Sequence, residues 1–230
     1  MPTKSVPHTK SKILIVDDHP LVREGLARRI AREPDLAVCG EAGTADEALA
    51  LLVRTRPDLA VIDISLPGRD GIDLTKEISA RYRAVRILVL SFHDESLYGD
   101  RALRAGARGY VMKQEPPDHL IRAIRQVLAG EIVVSKHTVE RVLQRVAGVH
   151  DGVWNSPIEL LSNRELEIFR LIGEGHTRCQ IAAELHISVK TVETHRSNIR
   201  QKLGLRNATE IIQHAVQFIR DDSPPAPQPR

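Results

Sequence analysis

The chain has 230 residues, 42% apolar and 27% charged, which excludes a globally disordered polypeptide and leaves room for two ordinary domains. The net charge is only +3, and the two isolated cysteines, Cys39 and Cys179, offer neither a disulfide framework nor zinc-ligand spacing, as expected of a cytoplasmic protein. The polar start over 1–11 is predicted to be disordered and lacks a signal peptide's apolar core; no run is long enough to span a membrane.

Ile13 to Val16 is an apolar run ending in Asp17-Asp18, the pattern of a strand buried on both faces that gives way to a loop. His19-Pro20 opens a helical pattern with Leu21, Val22, Leu26 and Ile30 on one face, ended by Pro34. Leu36 to Cys39 predicts a second strand, and a helix from about Thr44 carries Ala48, Leu49, Leu52 and Val53. The third strand, Leu59 to Ile62, lies between Pro57 and Pro67-Gly68 and ends on Asp63. Gly71 to Tyr82 predicts a helix through Ile72, Leu74 and Ile78, and Ile87 to Leu90 a fourth strand closing on Ser91. A helix over Glu95 to Arg104 stops at Gly106. Gly109 to Met112 is the fifth strand, ending at Lys113. Pro117 to Leu128 is the last helix, with Leu120, Ile121, Ile124 and Leu128 inward and Gly130 as its stop.

Five alternations of strand and helix predict an α/β fold, a five-stranded doubly wound parallel sheet with helices on both faces. The polar residues at the strand ends, Asp17, Asp18, Asp63, Ser91 and Lys113, then converge on the carboxyl rim, where open α/β sheets bind ligands. Each alone is an ordinary cap or turn residue; together they suit phosphoryl capture. Clustered carboxylates repel one another and favour a hard divalent cation, and Mg²⁺ takes oxygen ligands. A carboxylate can itself be the nucleophile toward a phosphoryl group. Lys113 would supply the counter-charge and Ser91 a hydrogen bond.

The set Asp17-Asp18, Asp63, Ser91 and Lys113, with Pro67-Gly68 and Gly71 after the third strand, resembles a bacterial response-regulator receiver domain over residues 12–130. The resemblance implies a flavodoxin-like fold with Asp63 as the phosphoacceptor. It implies Mg²⁺ held by Asp18, Asp63 and the Ser65 backbone carbonyl, with Asp17 acting through water. It also implies Ser91 and Tyr110 as a switch pair, the aromatic ring rotating inward as the hydroxyl closes on the phosphoryl. Gln114 follows Lys113 where many receivers have a cis-proline, which leaves the isomer of that bond open.

Residues 131–157 are predicted to be a linker with a short amphipathic helix through Val139, Val142, Leu143 and Val146; Trp154 is read as covering it. Beyond it, Ser162 to Glu165 and Thr177 to Gln180 have capping-box form and open two helices. Ser188 is read as the N-cap of a third helix, Val189 to about Leu203, ended by Gly204; Asn207 to Glu210 caps a fourth. A tight turn between the second and third makes this a four-helix, all-α helix-turn-helix domain over 158–220. At 100° per residue Val192, Ile199 and Leu203 fall on a core side of the third helix, opposite Lys190, Glu193, Thr194, Ser197 and Gln201. Arg196 and Arg200 flank that face on one side and Lys202 on the other. Residues 188–206 carry five basic side chains against one acid, whereas residues 1–130 carry 20 against 18. Flanking cations for phosphates and shorter polar groups for base edges suit a recognition helix on double-stranded DNA.

Leu161 to Glu165, Ile181-Ala182, Leu185, Ile187-Ser188, Thr191 to His195 and Lys202 to Gly204 closely resemble the LuxR-type helix-turn-helix, and the two domains together resemble the NarL/FixJ response regulators. This implies a transcriptional regulator, not an enzyme, phosphorylated at Asp63 by a sensor histidine kinase. It implies base contacts from Glu193, Thr194 and Ser197, and a homodimer through Ala208, Ile212 and Ala215. Residues 221–230, with four prolines, are predicted to be a disordered tail. Two other readings stay open: a Mg²⁺-dependent aspartyl-phosphate phosphohydrolase, disfavoured because Ser65 stands where such enzymes need a second aspartate, and a receiver with an RNA- or protein-binding output.

Overall fold

The computed structural model describes residues 10–147 and 157–222, in two units that divide between residues 149 and 150. The expectations for most of the polar start, for 148–156 with Trp154, and for 223–230 lie outside the described residues. Ser11 is in the first strand, and Asp221-Asp222 close the last helix, so these residues belong to regular elements.

The first unit alternates β1 (Ser11–Val16), α1 (Pro20–Ala31), β2 (Leu36–Ala42), α2 (Ala45–Thr55), β3 (Leu59–Ile62), α3 (Gly71–Arg81), β4 (Arg86–Ser91), α4 (Glu95–Ala105), β5 (Gly109–Met112) and α5 (Pro117–Ala129). The strands pair in parallel in the order β2-β1-β3-β4-β5. Ile13, Leu14, Ile15, Leu59, Ala60, Ile62, Leu88 and Val89 are fully buried, which is why these strands read as continuous apolar runs. The order reverses between β1 and β3, and that switch point opens the crevice at their carboxyl ends.

β2 runs three residues past Cys39, because the ladder skips from Val38 to Gly40 and resumes. Two helix faces differ from expectation. Leu21 is 83% exposed and Val53 also faces solvent, while Leu51 is buried. The inward stripe of α1 runs through Val22, Leu26 and Ile30 at intervals of four, and Leu21 lies one position off it. Along α5, Ala123 and Val127 are buried and Leu128 only half-buried.

Within 131–147 the chain packs on this unit. Val133 N–H donates to Arg108 O (2.9 Å) and Val133 O accepts from Tyr110 N–H (2.8 Å), adding a parallel bridge to the edge strand. Helix α6 (Lys136–Val146) lies on α4 with Thr138 buried, so the apolar Val139 and Leu143 stay exposed. Among the described residues no peptide bond is cis, so Lys113–Gln114 is trans.

The second unit has a 3₁₀ turn at Pro157–Leu160, then α7 (Asn163–Gly173), α8 (Arg178–Glu184), α9 (Val189–Lys202) and α10 (Ala208–Asp222). Both expected capping boxes form, at Ser162/Glu165 and Thr177/Gln180. Leu166, Ile168, Phe169, Ile181, Val192, Ile199 and Ile211 make its core, and Leu203 is half-buried. α7 and α10 cross so closely at Gly173 that a Cβ there would lie 2.4 Å from Ala215 O. Ala215 is accordingly 0% exposed, which corrects its reading as a dimer contact: it packs within the chain. Ala208 and Ile212 remain on the surface.

Candidate functional site

Three strands deliver the polar rim of the first unit. Asp17 follows β1 with its N–H on Ala42 O (3.0 Å), and Asp63 follows β3 with its N–H on Val16 O (2.8 Å). Lys113 follows β5 and donates its N–H to Ser91 O (2.8 Å). These bonds continue the ladder one step past the strands, so the side chains are set by the sheet rather than by flexible loops.

Lys113 Nζ sits 2.6 Å from Asp17 Oδ2 and 2.7 Å from Asp63 Oδ2, and the three side chains are only 4%, 1% and 3% exposed. Its ammonium also lies 5.0 Å from the centroid of the Phe92 ring. Asp18 reaches the same pocket and pairs with His19 Nδ1 at 2.6 Å. One ligand atom from each of Asp17, Asp18, His19 and Asp63 lies within 4.8 Å of the others. One buried lysine against three carboxylates leaves negative charge uncompensated, and an all-oxygen carboxylate set fits a hard divalent cation.

Burial drives the Asp63 carboxyl up to about 6 from its ordinary 3.8; Lys113 opposes that shift and Asp17 adds to it. The raised value means that the fold disfavours the charged form. The penalty is absent below the ordinary value, grows between 3.8 and about 6, and is complete above it. The gap, which already includes the opposing pull of Lys113, corresponds to about 3 kcal/mol. In magnesium-free buffer Asp63→Asn is therefore expected to stabilise the first unit at pH 7.5 by up to about 3 kcal/mol, seen as a higher melting temperature, and to lose most of that advantage near pH 4. Melting curves at the two pH values check it; an advantage at pH 4 equal to that at pH 7.5 would refute the sign.

The β4–α4 loop closes the pocket. Ser91 is fully buried and its Oγ accepts from His93 N–H (3.2 Å). The Tyr110 hydroxyl donates to His93 O (2.8 Å), and burial pushes that phenol far up. The Tyr110 ring lies inward in this structure, 2% exposed. Ser65 Oγ shares a hydrogen bond with His93 Nε2 (2.8 Å), and the His93 ring stacks on Tyr98 at 4.8 Å. Sequence reasoning missed His93 and His19, because a histidine in a loop carries no periodic signal.

On the second unit, Ser188 accepts from Thr191 N–H (3.0 Å) and starts α9. Lys190, Thr194, Ser197 and Arg200 are exposed and Arg196 is half-exposed. Glu193 is not free: Arg178 of α8 holds it at 2.9 Å. Lys202 is paired as well, although 39% of its side chain stays exposed. Its Nζ is 2.6 Å from Oε2 of the buried Glu165, the same oxygen that accepts Ser162 N–H (2.7 Å). Burial pushes the Glu165 carboxyl up, but Lys202 and Ser162 overcome it and hold the group below its usual range.

A phosphoryl-type pocket on a doubly wound sheet, followed by a helix-turn-helix, defines a signal-receiving module with a DNA-binding output. Residues 13–125 match the response regulator receiver domain, and residues 159–215 match the bacterial regulatory proteins of the luxR family. The chain is 37% identical over 210 residues to the oxygen regulatory protein NreC of Staphylococcus haemolyticus, covering 90% of this chain and 97% of the relative. It is 31% identical over 227 residues to the transcriptional regulatory protein DegU of Brevibacillus brevis, covering 93% and 96%. Among solved structures it resembles RcsB from Salmonella enterica serovar Typhimurium bound to promoter rprA with phosphomimetic BeF₃⁻, at 26% identity, TM-score 0.58, 90% of this chain and 99% of that one. RcsB has also been solved as two dimers bound to two parallel DNAs (26% identity, TM-score 0.54, 90% of this chain and 98% of that one). The chain belongs to the NarL/FixJ family of two-component response regulators, with a receiver domain joined to a LuxR-type DNA-binding domain. It is a transcriptional regulator and not a phosphohydrolase.

Proposed function

We propose that Asp63 is the phosphoacceptor and that its phosphorylation controls DNA binding by α9. The observation that carries the reading is the buried Asp17–Lys113–Asp63 cluster, with Asp18 beside it. Asp63, ionised above about pH 6, attacks the phosphorus of a phosphohistidine on a sensor histidine kinase. A carboxyl-oxygen-to-phosphorus bond forms as the phosphorus–nitrogen bond breaks, and the imidazole leaves. Lys113 shifts from carboxylate to phosphoryl oxygen, and the Ser91 hydroxyl turns to donate to another. Asp18, Asp63 and the Ser65 carbonyl would hold Mg²⁺, with Asp17 behind them. The ion supplies charge neutralisation at the phosphoryl oxygens. With Tyr110 already inward on His93, the moving part is the loop that carries Ser91.

In the output domain Lys190, Arg196 and Arg200 meet phosphates, and Thr194 and Ser197 meet base edges in the major groove of a promoter. Glu193, held by Arg178, accepts from cytosine N4 or orients that arginine. Ala208 and Ile212 on α10 are the surface for a second copy. No helix among the described residues is long and apolar enough to cross a membrane, in keeping with a cytoplasmic place of work.

Acetyl phosphate with Mg²⁺ is expected to label the wild-type chain, and Asp63→Asn to abolish the label. Phosphate-affinity electrophoresis reads the result, and a labelled Asp63→Asn chain would refute the assignment.

A further inference from the structure

Beyond α5 the chain returns to β5, which carries Tyr110, and to α4, which follows the loop after Ser91. Val133 is bonded on both its backbone groups to Arg108 and Tyr110 of the β5 edge. Two residues later, Ser135 N–H donates to Glu95 Oε1 (2.7 Å). Ser135 then starts α6: its Oγ accepts from Thr138 N–H (3.2 Å) and its carbonyl from Val139 N–H (3.1 Å). A carboxylate at a helix N-terminus suits the helix dipole, and a charge-assisted bond is a strong one.

Glu95 opens α4, four residues after Ser91. One turn further on, α4 presents Gly99 to Thr138. A Cβ on Gly99 would lie 3.1 and 3.2 Å from Thr138 Oγ1 and Cγ2, and 2.9 Å from Glu95 Cγ. Thr138 is buried in that contact at 1% exposure.

We propose that residues 131–140 form a strap latched by Glu95 and Gly99, and that the latch opens when the Ser91 loop is drawn toward a phosphoryl on Asp63. The proposal rests on the reading of Asp63 given above. His93 is tied through its N–H to Ser91 and through its carbonyl to Tyr110, so a shift of Ser91 is passed along four residues to Glu95. A bond of 2.7 Å leaves hydrogen-bonding range after a displacement of about 1 Å. The strap thereby connects the pocket to the segment that leads into the second unit.

Hydrogen exchange on the full chain tests this. Addition of beryllofluoride and Mg²⁺ to the wild type is expected to speed exchange of the Ser135, Thr138 and Val139 amides about tenfold. Glu95→Ala is expected to show that fast exchange without beryllofluoride and to change no further on its addition. Gly99→Ala introduces a better helix former in α4 yet crowds Thr138, and is expected to behave like Glu95→Ala; Gly99→Ala/Thr138→Ala makes room again and slows exchange. Strap amides that ignore beryllofluoride in a chain that accepts label at Asp63 would overturn the proposal. So would wild-type exchange in both single variants. Loss of labelling at Asp63 in the wild type would instead sink the phosphoacceptor reading, while the unmodified variants still decide the latch.

Discussion

Gly71→Ala is expected to destabilise the receiver by about 3 kcal/mol or more, the upper end for overpacking. A Cβ at Gly71 would lie 1.9 Å from Asp63 O, 2.8 Å from Asp63 C and 2.9 Å from Ile64 Cα. All three are backbone atoms, so no rotamer change relieves the clash. Gly71 N–H also donates to Ile64 O (2.8 Å), which fixes the approach of α3 to the end of β3. The helix start can move only by dragging the Asp63 loop with it. The receiver transition should fall by about 6–12 °C, and acetyl phosphate labelling should slow even at temperatures where the variant is folded. Calorimetry and labelling on the same sample check this; a transition within two or three degrees of wild type would mean that the loop has slack the geometry denies.

Lys190→Ala/Arg196→Ala/Arg200→Ala is expected to weaken duplex binding about 10²–10³-fold at 0.1 M salt and to reduce the slope of log K against log salt by about three. Each of these cations faces solvent at least in part, so their removal should leave the fold intact. Lys202→Ala is expected to behave differently. It leaves Glu165 buried without its cation, so the second unit loses stability while the salt slope is preserved. Titrations at several salt concentrations, with melting curves alongside, separate the two. Duplex affinity of the triple variant equal to wild type would remove α9 as the reading helix.

Much of this was legible from the sequence because the signals are local. Buried parallel strands are unbroken apolar runs, and their ends place Asp17, Asp63, Ser91 and Lys113 on one rim through alternation alone. Capping boxes at Ser162 and Thr177 mark helix starts to the residue. What failed needed a partner distant in sequence. Periodicity cannot tell an intramolecular face from an intermolecular one, so Ala215 was read outward although Gly173 receives it. A basic cluster does not say which cation is already paired, and the partner of Lys202 lies 37 positions away. The α6 pattern pointed to Val139 and Leu143, yet the helix rests on Thr138 because Gly99 offers a close fit there. His93 was invisible because its role comes from its backbone as much as from its ring.

The clamp between Lys202 and Glu165 bears on how the reading helix meets its target. α9 is pinned by Ser188 at its start and, through its last residue, to the capping box of α7. A helix fastened at both ends has little left to rearrange against a duplex, so docking sacrifices almost no freedom in ordering it. The probe's shape is settled before any operator arrives.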